Sequence, residues 1–510
     1  MEELYDVAVV GYGPVGQTLA ILLGRCGWKV AVFEKQPAPY PMPRAVHLDH
    51  EVARILQGAG LGEELPRLTE PAHTYEWRNA TGETLLLIGS KAASLSGWPE
   101  SNMFSQPELE RALDARVRAL ASVAVHRACE VVELRADGSQ VELMIASPDG
   151  VRRELRSSWV VGCDGANSFV RQHLGTAVTD LGFFYDWLIV DVIPREPRAW
   201  DPINWQLCDP RRPTTLVSGG PGRRRWEFMC LPGESIAELN NEATAWRLLA
   251  PWGVTPDTAA LERHTVYRFQ ARWTDRWRSG RLLLAGDAAH QMPPFAGQGM
   301  CAGIRDAANL AWKLDLVLKG LARDAILDTY PSERIPQVRQ VIDFSIELGK
   351  VICVPDPAAA AERDAAMIAA ARARGSSPPL PTPAIGPGLL LDDDPLAGHL
   401  FLQGEVRRGA VTGRFDDLVG SGFALVSSAG DPAAQLDADA AAFFGALGGV
   451  SAQIASSGPI VDLRGSYREW FAAHQVAVVL QRPDFHLFGT APAVEGANRL
   501  VRRLRSALAG

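Results

Sequence analysis

A chain of 510 residues is too long for one hydrophobic core and points to two or three domains. Its net charge of −8 argues against nucleic acid as a partner, and 22% charged with 47% hydrophobic residues describes an ordinary globular protein. No apolar run reaches the ~18 residues of a membrane span. The acidic start, Met1-Glu2-Glu3, shows no signal peptide. The seven cysteines (26, 129, 163, 208, 230, 301 and 353) lack CxxC or metal-ligand spacing. The expectation is a cytoplasmic protein with reduced thiols, no metal site, no membrane and no nucleic acid.

In chain order, Tyr5-Asp6-Val7-Ala8-Val9-Val10 reads as a buried parallel strand. It runs into Gly11-Tyr12-Gly13-Pro14-Val15-Gly16. Gly11 permits a tight turn, Gly13 lets backbone approach a pyrophosphate, and Gly16 lets the helix expected over 17–25 pack on the strand. A second strand, 29–33, ends at Glu34 and Lys35, where an acid can accept both hydroxyls of an adenosine ribose. Phosphates favour the N–H groups and dipole of such a helix start. NAD and FAD both suit this cradle.

Pro37, Pro39, Pro41 and Pro43 form a stiff loop able to hold Arg44 near a bound dinucleotide, and helical spacing covers 44–58. A helix is expected over 106–120, with Pro107 in its first turn. Strands fill 123–146, broken at Asp137-Gly138. A buried strand then enters Asp164-Gly165, followed by Ser168 and Arg171. From 183 to 270 the runs 187–192, 203–208, 214–219 and 225–231 read as an inserted mixed or antiparallel sheet, able to roof a cofactor and carry a substrate cavity. Trp187, Trp205, Trp226 and Phe228 are candidates to line it, the alternative for each being a core aromatic. Arg223-Arg224-Arg225 reads as a solvated turn or as a lure for an anion.

A second signature decides between the dinucleotides. Strand 281–285 leads into Gly286-Asp287, whose carboxylate can hold the ribityl hydroxyls of a flavin. Behind it, Pro293-Pro294-Phe295-Ala296-Gly297-Gln298-Gly299 leads into a helix over 301–318, whose N–H groups can stabilise negative charge on a reduced flavin. The alternative is a strand, turn and helix with ordinary caps. Together the two signatures indicate FAD. Helices follow over 332–353 and in an alanine-rich stretch. A Pro- and Ser-rich linker covers 376–387. The remaining α/β module has strands at 423–427, 459–463 and 477–481 and helices at 433–447 and from 493. It has no cysteine, and is read as structural or oligomeric, compatible with a homodimer.

The GxGxxG with Glu34, Asp164-Gly165 with Arg171, and Gly286-Asp287 with its Pro/Gly loop resemble, in this order and spacing, the single-component (class A) FAD-dependent aromatic hydroxylases of the para-hydroxybenzoate hydroxylase fold. The resemblance spans 4–350, and the tail resembles the thioredoxin-like C-terminal domain of the phenol and resorcinol hydroxylase branch, without redox cysteines. Tyr40-Pro41-Met42-Pro43-Arg44-Ala45, Cys208-Asp209-Pro210-Arg211-Arg212-Pro213, Trp226-Glu227-Phe228-Met229 and Asn309-Leu310-Ala311-Trp312-Lys313-Leu314 look closest to the 3-(3-hydroxyphenyl)propionate hydroxylases and antibiotic-tailoring relatives.

This resemblance implies an α/β fold: a Rossmann-type FAD domain in two parts (1–182 and 271–375, the second with long helices), an inserted substrate sheet (183–270), a linker (376–394) and a C-terminal domain (395–510). It implies that Gly11, Gly13, Pro14, Gly16, Glu34 and Lys35 hold the ADP half of FAD, that Arg44 and Gln106 contact the cofactor, and that Asp164 serves FAD and transient nicotinamide binding. Asp287 would hold the ribityl chain, and Pro293, Gly297, Gln298, Gly299 and Met300 would border the ring, with Pro294 and Phe295 on the substrate side beside Trp205 and Trp226. Cys301 stands where relatives usually carry Asn. The implied reaction hydroxylates a phenol with NADH or NADPH and O2 through a flavin C4a-hydroperoxide. No second Rossmann cradle is present for the nicotinamide. His47 and Asp49 are candidates for a base or proton relay, the alternative for His47 being a hydrogen-bonded structural role. Other readings are a tailoring hydroxylase for a polycyclic aromatic natural product, a flavin oxidase or reductase, and a non-catalytic flavoprotein sensor.

Overall fold

The computed structural model describes residues 4–39, 44–374 and 384–509. The strand Leu4–Val10 lies inside an eight-stranded sheet, parallel to Val30–Glu34 on one side and to Arg152–Gly162 on the other. Both of its faces are covered, so Val7, Ala8 and Val9 form a continuous apolar run instead of an alternation. Leu282–Leu284 adds a further parallel strand beside Arg152–Gly162. The turns at Gly11, Asp164 and Gly286 therefore leave three neighbouring strands at the same, C-terminal end, where open α/β sheets bind ligands. The helix Gly299–Leu318 packs on Pro14–Arg25. Gly303 allows the contact, because a Cβ there would stand 2.6 Å from the Val15 side chain and 3.0 Å from Gly286 Cα.

A second eight-stranded sheet includes Val178–Pro194, Asn204–Leu207, Thr214–Ser218, Arg224–Met229 and Ala259–Thr274. It exceeds the inserted segment expected over 183–270. Val178–Pro194 and Ala259–Thr274 run across both expected boundaries and pair along their length. The hairpin of Thr74–Arg78 and Thr84–Gly89 joins the far side, with Thr74–Arg78 parallel to Asn204–Leu207. The added strands satisfy backbone groups that would otherwise form an open edge.

Two expected helices start later than their patterns suggest. Over 44–58, His47–Asp49 is a strand paired with Ser101–Phe104, and the helix His50–Leu56 begins where the Asp49 carboxylate accepts from Glu51 N and Val52 N. Over 433–447, the Asp437 carboxylate caps Ala438–Ala446, leaving Ala433–Gln435 as a separate turn.

In the C-terminal sheet, Ala424–Ser427 is parallel to Val450–Ala455 and antiparallel to Val478–Gln481, which in turn pairs with Leu487–Ala491. The linker expected over 376–394 lies outside the described residues up to 383. Beyond that it is docked: Gly386 N donates to Glu333 O at 2.8 Å and Leu391 N to Phe488 O at 2.7 Å. Leu425, Leu480 and Phe488 share one apolar core with Leu310 and Leu314. Among the described residues no helix is long and apolar enough to cross a membrane.

A buried polar knot ties this unit to the rest. Glu333, fully buried, accepts from Lys313 Nζ at 2.7 Å, Arg482 Nη2 at 2.6 Å and Asn309 Nδ2 at 2.8 Å. Asp484 accepts from the same arginine at 2.6 Å and from Trp312 Nε1 at 3.1 Å. Glu333→Ala leaves two buried cations without their shared anion. It is expected to cost about 3–5 kcal/mol, read as a lower urea midpoint. Burial pushes the Glu333 carboxyl up, but Arg482 and Lys313 outweigh burial and hold it down at about 2. Its stabilising effect is therefore complete above the unfolded value of ~4.3 and is lost as pH falls through the folded value. Glu333→Gln is expected to flatten the acid-side slope of stability against pH.

Candidate active site

The first glycine turn is shaped by contacts and by space. A Cβ on Gly11, where φ is +103°, would stand 2.3 Å from Cys163 O, and one on Gly16 would stand 2.2 Å from Gly11 O. A Cβ on Gly13 would meet nothing within 4 Å. Gly11 and Gly16 are thus required by the packing of the chain, whereas Gly13 keeps open the space at the start of helix Pro14–Arg25. That helix has no side-chain cap, and Pro14 in its first turn has no N–H to satisfy. Glu34 stands beside it with its carboxylate oriented by Tyr12 N at 3.0 Å and Gln36 N at 2.8 Å. Lys35 is exposed next to it. An open volume, an uncapped helix start and an oriented acid fit the ADP part of a dinucleotide.

The second turn is held from behind by Asp306, which is fully buried on the helix Gly299–Leu318. Asp306 Oδ2 accepts from Gly286 N at 3.0 Å and lies 2.7 Å from His290 Nε2, while Oδ1 accepts from Arg334 Nε at 2.9 Å. His290 is thereby held in place through Nε2. Asp287 faces the other way, half-buried, into a cleft of about 280 Å³ that Arg171, Arg272 and Trp273 also line. Burial raises its carboxyl above the ordinary value, opposed by His290 and Arg44. Asp164 is engaged locally. Its oxygens accept from Ser168 Oγ at 2.5 Å, Phe169 N at 2.7 Å and Val170 N at 3.1 Å, and they anchor the helix Phe169–Leu174. Arg171 Nη1 donates to Ala288 O at 2.8 Å and joins the two turns.

The proline–glycine loop closes the site. Gly297, at φ +63°, sits so close to His47 that a Cβ would be 3.0 Å from Nδ1. His47 Nδ1 lies 3.2 Å from Gly297 O. A carbonyl only accepts, so His47 donates through Nδ1 and Nε2 remains an acceptor. Burial lowers its pKa from the ordinary 6.5, which keeps the ring neutral at pH 7. The Cys301 thiol is buried beneath the loop and directed at His47 O (3.7 Å) and Gly297 O (3.8 Å), so it acts on the loop's backbone. Pro293 is buried, Pro294 and Phe295 are half-buried, and Met300 packs on the main core.

Arg305, absent from the sequence reading, braces the loop. It donates to Gln298 Oε1 at 3.0 Å, Asp49 Oδ2 at 2.6 Å and Glu51 Oε2 at 2.6 Å. This corrects the expectation for Asp49. One oxygen caps a helix and the other pairs with Arg305. Although burial raises its pKa, Arg305, His50 and the capping N–H hold the carboxyl well below its usual range, and both oxygens are taken up by these structural partners. Gln106 Oε1 accepts from Arg44 N at 3.0 Å and Ala45 N at 2.7 Å, shaping the backbone at Arg44, while Pro41 and Pro43 lie outside the described residues. A signal for the bracing residues was present: Arg305, Asp306, Asn309 and Lys313, with Asp315, interrupt a helix that is apolar elsewhere.

The roofing sheet separates its aromatics by alternation. Trp226 and Phe228 share a core with Leu188, Val190 and Leu249, and Trp205 packs against that core. Trp187, Met229 and Phe269 lie on the other face with Phe295, whose ring meets Trp187 edge-on at 5.8 Å. Trp205 and Trp226 are therefore corrected from pocket to core, being one residue out of phase with the face toward the loop. Trp187 is on the loop side. The open space at Gly13 yields a prediction: Gly13→Ala is expected to leave the melting temperature of the FAD-free protein unchanged while weakening FAD binding at least tenfold, read by fluorescence titration.

Comparison with known proteins agrees with this geometry. A family model described as FAD binding domain matches residues 4–345, and one described as HcaD C-terminal domain matches 398–507. The chain is 38% identical to the "Probable NADH-specific resorcinol 4-hydroxylase" of Rhodococcus jostii (strain RHA1), over 99% of this chain and 95% of that one. It is 33% identical to the 3-(3-hydroxy-phenyl)propionate/3-hydroxycinnamic acid hydroxylase of Klebsiella pneumoniae subsp. pneumoniae, over 95% and 91%. Among solved structures, the flavin-dependent monooxygenase PieE with FAD and substrate has the same fold, with a TM-score of 0.84 at 23% identity over 99% of both chains. A ternary complex of aklavinone-11 hydroxylase with FAD and aklavinone gives 0.79 at 25% identity over 100% of both. With three glycine and acid turns converging at one sheet end under a roofing sheet, and with these relatives matched over nearly their whole length, the chain belongs to the FAD-dependent aromatic hydroxylases.

Proposed function

We propose that this chain is a single-component hydroxylase that adds one oxygen atom from O2 to a small phenol at the expense of NADH. The observation that carries the reading is how the roofing sheet meets the two loops at the cofactor site. Arg225 Nη1 donates to Arg44 O at 2.8 Å on one side, and Trp187 packs on Phe295 on the other. A flat ring held between sheet and loop would lie where the reactive end of a flavin is expected. FAD, when bound, supplies two-electron exchange with a nicotinamide and the activation of O2.

The residues of the chain do the rest. The turn at Gly11, Gly13 and Gly16, the start of the Pro14–Arg25 helix, and Glu34 bind the ADP half. Asp287 binds the ribityl hydroxyls, with Arg44 beside it. The segment from Pro293 to Met300 borders the ring, and the uncapped start of Gly299–Leu318 presents N–H groups that favour negative charge there. Asp164 positions the middle turn. His47 holds the loop through Gly297. Trp187, Phe269 and Phe295 form an apolar wall that excludes water and so limits loss of activated oxygen as peroxide. NADH as donor rests on the name of the Rhodococcus relative.

A second reading, a tailoring hydroxylase for a polycyclic aromatic, is favoured by the full-length similarity to the aklavinone complex. The FAD-loaded enzyme is expected to oxidise NADH faster in the presence of a monocyclic phenol, with a product gaining one oxygen and little peroxide. This is followed by oxygen uptake, a peroxide assay and product mass. Stimulation by polycyclic phenols alone would select the second reading, and indifference to every phenol would remove both.

A further inference from the structure

The face of the roofing sheet turned toward the loop carries a carboxylate, Glu227, that is paired more loosely than its neighbour Asp191. Strand register aligns Thr265, Ile189, Glu227, Thr215 and Gln206 in one row across the sheet. The row on one side holds Arg263, Asp191 and Arg225, and the row on the other holds Tyr267, Trp187 and Met229. Asp191 is matched: Arg225 donates to it through Nε at 2.6 Å and Nη2 at 3.0 Å, and Arg263 Nε stands 3.9 Å away. Glu227 makes a looser ion pair, its Oε1 standing 3.6 Å from Arg225 Nη1. Its side chain keeps 13% exposure, whereas Arg225 and Asp191 beside it keep 2% and 3%.

On its strand Glu227 lies between Arg225 and Met229, whose surroundings reach the two loops. Arg225, two residues back on the same strand, reaches Arg44 O, while Trp187, opposite Met229, touches Phe295. Nearby hydroxyls are committed as donors. Thr215 Oγ1 gives its proton to Gln206 Oε1 at 2.6 Å and Tyr75 Oη to the same oxygen at 3.2 Å. Glu227 is the carboxylate of this row. Burial raises its carboxyl above the ordinary value, opposed by Arg225.

We propose that Glu227 accepts the hydrogen bond of the substrate's phenolic hydroxyl, and that the substrate is a neutral phenol. This rests on the hydroxylase reading above. A carboxylate that accepts the O–H bond raises electron density at the ring carbons ortho and para to that oxygen, where an electrophilic oxygen adds. Neutrality follows from charge. Arg225 and Arg263 are already engaged by Asp191 and Glu227, so a carboxylated phenol would bring a further anion against two carboxylates in a low-dielectric site.

The test titrates FAD-loaded enzyme, without NADH, with 1,3-dihydroxybenzene and with 3-(3-hydroxyphenyl)propionate, following the change in flavin absorbance. Wild type is expected to bind the neutral phenol more tightly. Glu227→Gln should weaken that binding about tenfold and Glu227→Met further, the scale of a charge-assisted hydrogen bond. The dissociation constant for FAD should not move. With NADH, both variants should form more peroxide per NADH consumed. Variants that bind the neutral phenol as wild type does overturn the role of Glu227 while leaving the hydroxylase reading intact. Tighter binding of the carboxylated phenol by wild type overturns the neutral-substrate claim. A wild type that neither binds nor hydroxylates any phenol overturns this proposal and the hydroxylase reading together.

Discussion

The helix Gly299–Leu318 is almost entirely buried and yet carries Arg305, Asp306, Asn309 and Lys313. Charges in that position are tolerated only when paired and hydrogen-bonded, and each pairing draws a distant segment onto the helix. Arg305 takes Asp49, Glu51 and Gln298, fixing the chain after Arg44 against the loop at Gly297. Asp306 takes Gly286 N, His290 and Arg334, fixing the turn that presents Asp287. Asn309 and Lys313 take Glu333, and through Arg482 and Asp484 they bind the C-terminal unit. One helix thus couples both loops of the cofactor site to a unit that contributes none of the residues assigned to that site. The C-terminal unit acts as a buttress: its Arg482 completes the charge balance around Glu333, and its His486 comes within 3.8 Å of Glu51.

The roofing sheet obeys a different constraint. Its outer face is sealed by Trp226, Phe228 and Leu216 under the helices Ile236–Leu239 and Glu242–Leu249. Its inner face mixes paired charge with aromatic surface, which suits a cavity that must hold a polar aromatic ring and exclude water. The two faces differ by one residue of register, so Glu227 and Trp226, adjacent in sequence, have unrelated roles.

The parts of this architecture with local causes were legible in the sequence. Strand Leu4–Val10 and the turn at Gly11 are adjacent, the acid at Glu34 ends the next strand, and the demand for positive φ or close backbone approach at the turn can be met only by glycine. Gly286-Asp287 and the proline–glycine loop were legible for the same reason. Helix starts were less so, because a single side chain decides them. Asp49 and Asp437 each capture N–H groups and move the boundary by several residues. Domain limits were blurred where long strands such as Val178–Pro194 pass from one unit to the next without a change of pattern.

Local sequence is enough for the glycine turns and for the acids that follow at strand ends, and so for the class of cofactor, since each depends on its own strand–turn–helix unit. The face that Trp226 takes, and the pairing of Asp49 with an arginine 256 positions away, arise only from how the chain packs. The physical reason is that burial makes every charge seek its nearest partner in space, and proximity in space is set by sheet register and helix packing, which sequence spacing does not encode.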